Sequence, residues 1–174
     1  LQMISDARGT AVGGAAVALP GHISSYRANP ANSAHFENRT AVFSISSHVS
    51  GILPGGATML YPTKSGVWTA SINAVSYGDF DRLDQFAGEQ GTFSAGDAIM
   101  HLGWARPWKY GIATGLSAGF IRSSIDDWTA SAVVFGFGLT WTKADGAVAV
   151  GLAGTNLGSA ISEFDEVKDK VPSE

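Results

Sequence analysis

The sequence predicts an all-β protein, specifically an antiparallel transmembrane β-barrel, and three observations carry that prediction. First, apolar residues alternate with small or polar ones over stretches long enough for a tilted membrane strand, which needs about 9–11 residues. Second, the chain of 174 residues holds 22 glycines, yet only 15% of its residues are charged and its mean hydropathy is +0.11. Barrel strands are half apolar and half lumen-facing, so they produce this mixture; a helical membrane protein would be far more apolar. Third, aromatic residues gather toward strand ends, at Tyr61, Trp68, Tyr77, Trp104, Trp108, Tyr110, Trp128 and Trp141. Trp and Tyr favour a membrane–water boundary because the ring is apolar and its N–H or O–H needs a wet partner. A soluble all-β domain also alternates; strand length and aromatic flanking favour the barrel.

The first element, residues 1–39, differs from the rest. Ala7 to Leu19 is rich in glycine and alanine, and His22 to Ala34 is polar, with Asn29-Pro30 favouring a turn. This segment is expected to be a first strand or a plug. Residues 40–174 are expected to form a partial barrel of about seven or eight strands, with candidates near 40–50, 55–61, 67–78, 96–106, 110–122, 130–142 and 147–157. The stretch Ala130 to Thr142 alternates most strictly. One face carries Val133, Phe135, Phe137, Leu139 and Trp141, and the other Ala132, Val134, Gly136, Gly138 and Thr140. It is too short for a spanning helix of ~20 residues. The first face is expected to meet lipid, and an arginine at Gly138 is expected to cost less than one at Phe137 if the lumen is wet. From Tyr110 to Arg122, the face with Gly111, Ala113, Gly115, Ser117 and Gly119 is uniformly small, as suits a crowded interior. Pro62 to Gly66, Pro107 to Lys109 and Lys143 to Gly146 read as tight turns. Tyr77 to Ser94, Ser123 to Thr129 and the stretch after Leu157 read as longer links. Short turns on one side and long loops on the other are the barrel arrangement, the short ones being periplasmic.

Several chemistries find no support. The net charge is −4 with no basic stripe, so nucleic-acid binding has no electrostatic footprint. There is no cysteine for disulfides or thiolate metal sites. His22, His35, His48 and His101 lack metal-type partners at helical or hairpin spacing. No phosphate loop occurs. Gly115-Leu116-Ser117-Ala118-Gly119 has the letters of a nucleophile elbow but falls inside the strand expected at 110–122, not at a strand-to-helix turn. The expectation is a non-enzymatic protein without a cofactor or metal. The segment from Gly78 to Gly96 mixes Asp79, Asp81, Asp84 and Glu89 with Phe80, Leu83, Phe86 and Phe93. Its carboxylate spacing matches no calcium loop. Aromatic anchors beside a polar rim suit a protein contact, so these four apolar residues are the expected partner-binding group.

The run Ala7-Arg8-Gly9-Thr10-Ala11-Val12-Gly13-Gly14-Ala15, followed by Asn29-Pro30-Ala31, resembles the opening of the PorV/PorQ family of FadL-related outer-membrane barrels. Arg8, Gly13, Gly14, Asn29 and Pro30 carry that motif. Tyr77-Gly-Asp-Phe80, Gly91-Thr-Phe-Ser-Ala-Gly-Asp97 and Gly151-Leu-Ala-Gly-Thr-Asn-Leu-Gly158 are similar to the PorQ branch. The resemblance implies an outer-membrane component of the type IX secretion system of a Gram-negative bacterium. Its partners would be outer-membrane lipid and other secretion or surface-attachment proteins. The FadL relationship implies the alternative, a channel for hydrophobic small molecules. Members of the family are considerably longer and end in an aromatic-terminated strand, whereas this chain ends Val167 to Glu174 in polar residues. The expectation is therefore an N-terminal portion, truncated before the C-terminal strands.

Overall fold

The computed structural model describes residues 11, 13, 15–47, 51–83 and 89–162, without the side chains of Ser24, Leu83, Glu89 and Gln90. Seven strands follow one another: β1 (Thr40–Ile45), β2 (Leu53–Thr63), β3 (Gly66–Leu83), β4 (Glu89–Pro107), β5 (Ile112–Ile125), β6 (Trp128–Thr142) and β7 (Ala149–Ser162). They form one antiparallel sheet in the order β1-β2-β3-β4-β5-β6-β7. Each strand lies where the alternation predicts one. Strands β1 and β7 are its edges, and no pairing joins them among the described residues. No helix is long and apolar enough to cross a membrane, which says nothing of crossing by strands.

Register explains why alternation along each strand becomes two distinct faces. Paired residues of antiparallel strands project to the same side. Met59, Ala70, Leu102, Ala118, Phe135 and Leu157 pair in succession across β2 to β7. The neighbouring row runs Tyr61, Trp68, Trp104, Leu116, Phe137 and Gly154. Between these rows lies one of the opposite parity: Leu60, Thr69, Gly103, Ser117 and Gly136. The first two rows belong to an open face and the third to a face covered by the N-terminal segment. A one-residue slip would exchange the two sets everywhere.

The connections differ from the sequence expectation. The stretch Tyr77 to Ser94 is not a long loop: β3 runs to Leu83 and β4 starts at Glu89. Ser123 to Thr129 also contracts to a two-residue turn at Asp126-Asp127, where Asp126 takes a positive φ of 55°. Strand β7 continues past Leu157 to Ser162. Charge and glycine made these stretches look irregular. Strand pairing tolerates charge wherever side chains reach water, so polarity alone did not mark the strand ends. The asymmetry between the two ends of the sheet lies in strand length: the β3–β4 hairpin projects beyond its neighbours.

The described part of the N-terminal segment contains no strand. Two 3-10 turns, Ile23–Arg27 and Pro30–His35, lie against the covered face of β3 to β6. Asn29 starts the second: its side chain accepts from Ala31 N–H, and Pro30 occupies the first position, where a missing N–H costs nothing. Ala34, Ala105 and Ala113 form a small core between this segment and the sheet.

Candidate functional surfaces

The open face is the first candidate surface. Phe135, Phe137, Leu139 and Trp141 all project from it exposed, and Val133 shares it at intermediate exposure. On β5 the same face shows Ile112, Leu116 and Phe120, and on β4 Met100 and Leu102, which is 65% exposed. Monomeric water-soluble domains rarely leave an apolar surface of this continuity uncovered. At one end of the face Tyr61, Trp68 and Trp104 are directly paired across β2, β3 and β4. Two cations lie over rings there: Arg39 over Tyr61 at 4.4 Å and Arg106 over Trp108 at 4.7 Å. Trp108 Nε1 donates to Thr114 Oγ1 at 2.9 Å. Tyr61 and Trp108 therefore expose apolar ring surface while their polar atoms keep partners, Tyr61 Oη accepting from Arg39. At the other end Arg122, Ser124, Thr129 and Ser131 replace the apolar residues.

The covered face is built for close approach. Gly115 lies directly beneath the Pro30–Ala31 backbone and Gly138 beneath Asn29 Oδ1, so a Cβ at either position would overlap those atoms. Asn29 is fully buried. Its Nδ2 donates to Val17 O at 2.8 Å and to Leu139 O at 3.1 Å, and its Oδ1 accepts from Ala31 N at 3.0 Å. Asn32 Nδ2 donates to Ala16 O at 2.8 Å and Ser25 O at 3.3 Å. Tyr26 Oη donates to Ser71 Oγ at 2.5 Å, and Thr69 Oγ1 donates to Ser33 Oγ at 3.2 Å. Gly138 thus faces packed protein, so the wet lumen on which a cheaper arginine depended is not met at this position.

The β3–β4 hairpin is the third surface. Its register shifts between Ser76 and Asp79, where β3 carries an extra residue, and a bulge of this kind bends a strand. Beyond it Phe80 pairs with Phe93, their rings stacked at 5.4 Å between centroids. On β4, Phe93 has the same parity as Ala95, Asp97 and Ile99, so the stacked pair continues the covered face. Asp79 and Asp81 alternate with it on the other side. Below the bulge Tyr77 Oη donates to Asp97 Oδ2 at 2.7 Å, and Ser123 Oγ donates to Asp97 Oδ1, tying β3, β4 and β5 together. Arg82 forms an ion pair with Asp126 in the β5–β6 turn. Of the four expected partner-binding residues, Phe80 and Phe93 come together. Phe86 and the Leu83 side chain lie outside the described residues.

Of the motif residues, Asn29 and Pro30 form the seam between segment and sheet, and Gly13 has a positive φ of 62°. Arg8 and Gly14 lie outside the described residues. The sequence reading missed Asn32, Tyr26, Asp97 and the two cation–ring pairs. Asn and Ser in a turn-like stretch usually bond locally, so nothing in the order of residues marked these as buried donors. Among the described residues no group of three metal-ligating side chains occurs. Neither protein-family models, nor curated proteins, nor solved structures give a match to this chain.

Proposed function

We propose that this chain is part of an outer-membrane β-barrel, PorQ-like in the type IX secretion system, that anchors partners for surface attachment of secreted cargo. The observation supporting the membrane reading most directly is the open face. On β5 its apolar run from Ile112 to Phe120 falls within the roughly 9–11 residues of a tilted membrane strand. An aromatic row bounds the apolar band at one end, as in the interfacial girdles of lipid-facing barrel surfaces, and polar side chains bound it at the other. On this reading the N-terminal segment is the plug. The connections at residues 64–65, 108–111 and 143–148 are periplasmic, and the β3–β4 hairpin reaches outside. On this reading the role is structural. The secretion role rests on the motif resemblance; the hairpin is the part of the chain suited to hold a partner.

A second reading, a conduit for hydrophobic molecules, is favoured by one feature: the Phe80–Phe93 stack lies on the covered-face side, toward the mouth of the lumen. Replacing Phe80 and Phe93 together with Ser separates the readings. In the anchoring reading the protein inserts normally, while co-purification of the surface partner and display of secreted cargo fall. If both stay at the wild-type level and uptake of a hydrophobic probe falls, the conduit reading replaces it.

A further inference from the structure

We propose that the open face carries a binding site for one phospholipid with an anionic headgroup, at the end of the sheet where β4 turns into β5; this rests on the membrane reading above. Two independent observations meet there. The first is a groove of about 470 Å³ in the open face, between Trp104, Leu116 and Phe137 on one side and Leu102, Ala118 and Phe135 on the other. It forms because Ala118 interrupts rows of large side chains. Its walls are apolar, so it suits a hydrocarbon chain and offers nothing to a polar ligand.

The second observation is the distribution of charge, which the sequence scatters and the sheet gathers. Arg39, Lys64, Arg106, Lys109 and Lys143 all fall at the end carrying connections 64–65, 108–111 and 143–148, against only Glu37 and Asp145 among the described residues. The opposite end carries Asp79, Asp81, Asp97, Asp126 and Asp127 against Arg82 and Arg122. Lys143 is engaged by Asp145 at 2.8 Å. Arg106 stacks on Trp108, which leaves its N–H groups available around the ring edge. It pairs with Thr114 in the next row of the open face, beyond the Trp104–Leu116 row that forms one wall of the groove. A hydrocarbon chain that rests in the gap over Ala118 and passes across that wall along the strands brings its headgroup to Arg106, Thr114 and Lys109. A phosphate there meets guanidinium and ammonium donors, and hydrogen bonds between ionised groups are the strong ones. The occupant is a phospholipid and not a free anion because the groove supplies half of the site. In the proposed orientation, with the projecting β3–β4 hairpin outside, it belongs to the periplasmic leaflet.

The test uses the intact protein extracted from membranes in mild detergent. Retained lipid is measured by native mass spectrometry after incubation with phosphatidylglycerol, with phosphatidylcholine of the same chains, or with inorganic phosphate. Phosphatidylglycerol should be retained preferentially, and inorganic phosphate should not displace it. Arg106→Gln with Lys109→Gln should lower that retention about fivefold or more, since each cation near an anionic surface contributes on that scale. Ala118→Phe fills the groove with the cations intact and should lower retention as well. It adds an apolar side chain to an exposed face, so strand pairing is preserved. Equal retention of both lipids, displacement by phosphate, or retention unchanged in both variants overturns the site while leaving the membrane reading intact. Recovery of the folded wild-type protein in the aqueous carbonate fraction overturns both.

Discussion

At the residue scale, Asn29 concentrates the most structure in one side chain. It is buried, caps a 3-10 turn and holds the carbonyls of Val17 and Leu139. Asn29→Ala leaves those acceptors without a donor in a place water does not reach. It should cost about 1–3 kcal/mol, the penalty of an unsatisfied buried polar group, read by denaturant unfolding in vesicles. Phe137 and Gly138 are adjacent in sequence and opposite in environment. Phe137→Arg should cost about 2–4 kcal/mol if its position is near the bilayer midplane. Gly138→Arg should be no milder, and by a different route: the new side chain displaces Asn29 and Pro30. Limited proteolysis distinguishes the two, because only the Gly138 variant should release the N-terminal segment for cleavage while the strands stay protected. A Gly138 variant with a protected N-terminus would show that the segment does not depend on this contact.

At the element scale, strand existence and phase were legible because the period of two survives any local noise in composition. Ala130 to Thr142 could be divided into two faces by inspection, and the register of β5 with β6 keeps those faces intact. The extent of the strands was less legible. Asp79, Asp81 and Gly91 look like loop residues, yet they lie in the paired hairpin of β3 and β4, held by a stacked aromatic pair and the Arg82–Asp126 ion pair. That ion pair is exposed, with side chains at 45% and 32%, so water and salt screen it. Asp126→Ala should change stability by less than about 1 kcal/mol while loosening the hairpin, seen as faster backbone amide exchange at Asp79 to Arg82. Unchanged exchange there would mean that strand pairing alone fixes the hairpin. The N-terminal segment was the least legible element: 3-10 turns leave no period in the sequence, and the partners of Asn29 and Tyr26 lie far along the chain.

At the scale of the whole molecule, the sheet has two open edges. Strands β1 and β7 each leave one side of their backbone unpaired among the described residues. In a bilayer such groups have no water to turn to, and each costs several kcal/mol. Residues 1–174 expressed alone should therefore fail to give a monodisperse, heat-resistant barrel, checked by gel mobility with and without boiling. A heat-modifiable monomer of this length would show that the edges find each other. The Asn29–Leu139 hydrogen bond spans 110 positions, and that separation fixes an order of assembly. Every strand pairs with its sequence neighbour, so hairpins can form from short loop closures, which are entropically cheap and fast. The N-terminal segment has no such local partner. Its seat is made of β3 to β6 and is complete only after β6 has joined the sheet. Residues synthesised ahead of every strand are thus the last to settle, and until then their asparagines and the glycines beneath them stay wet.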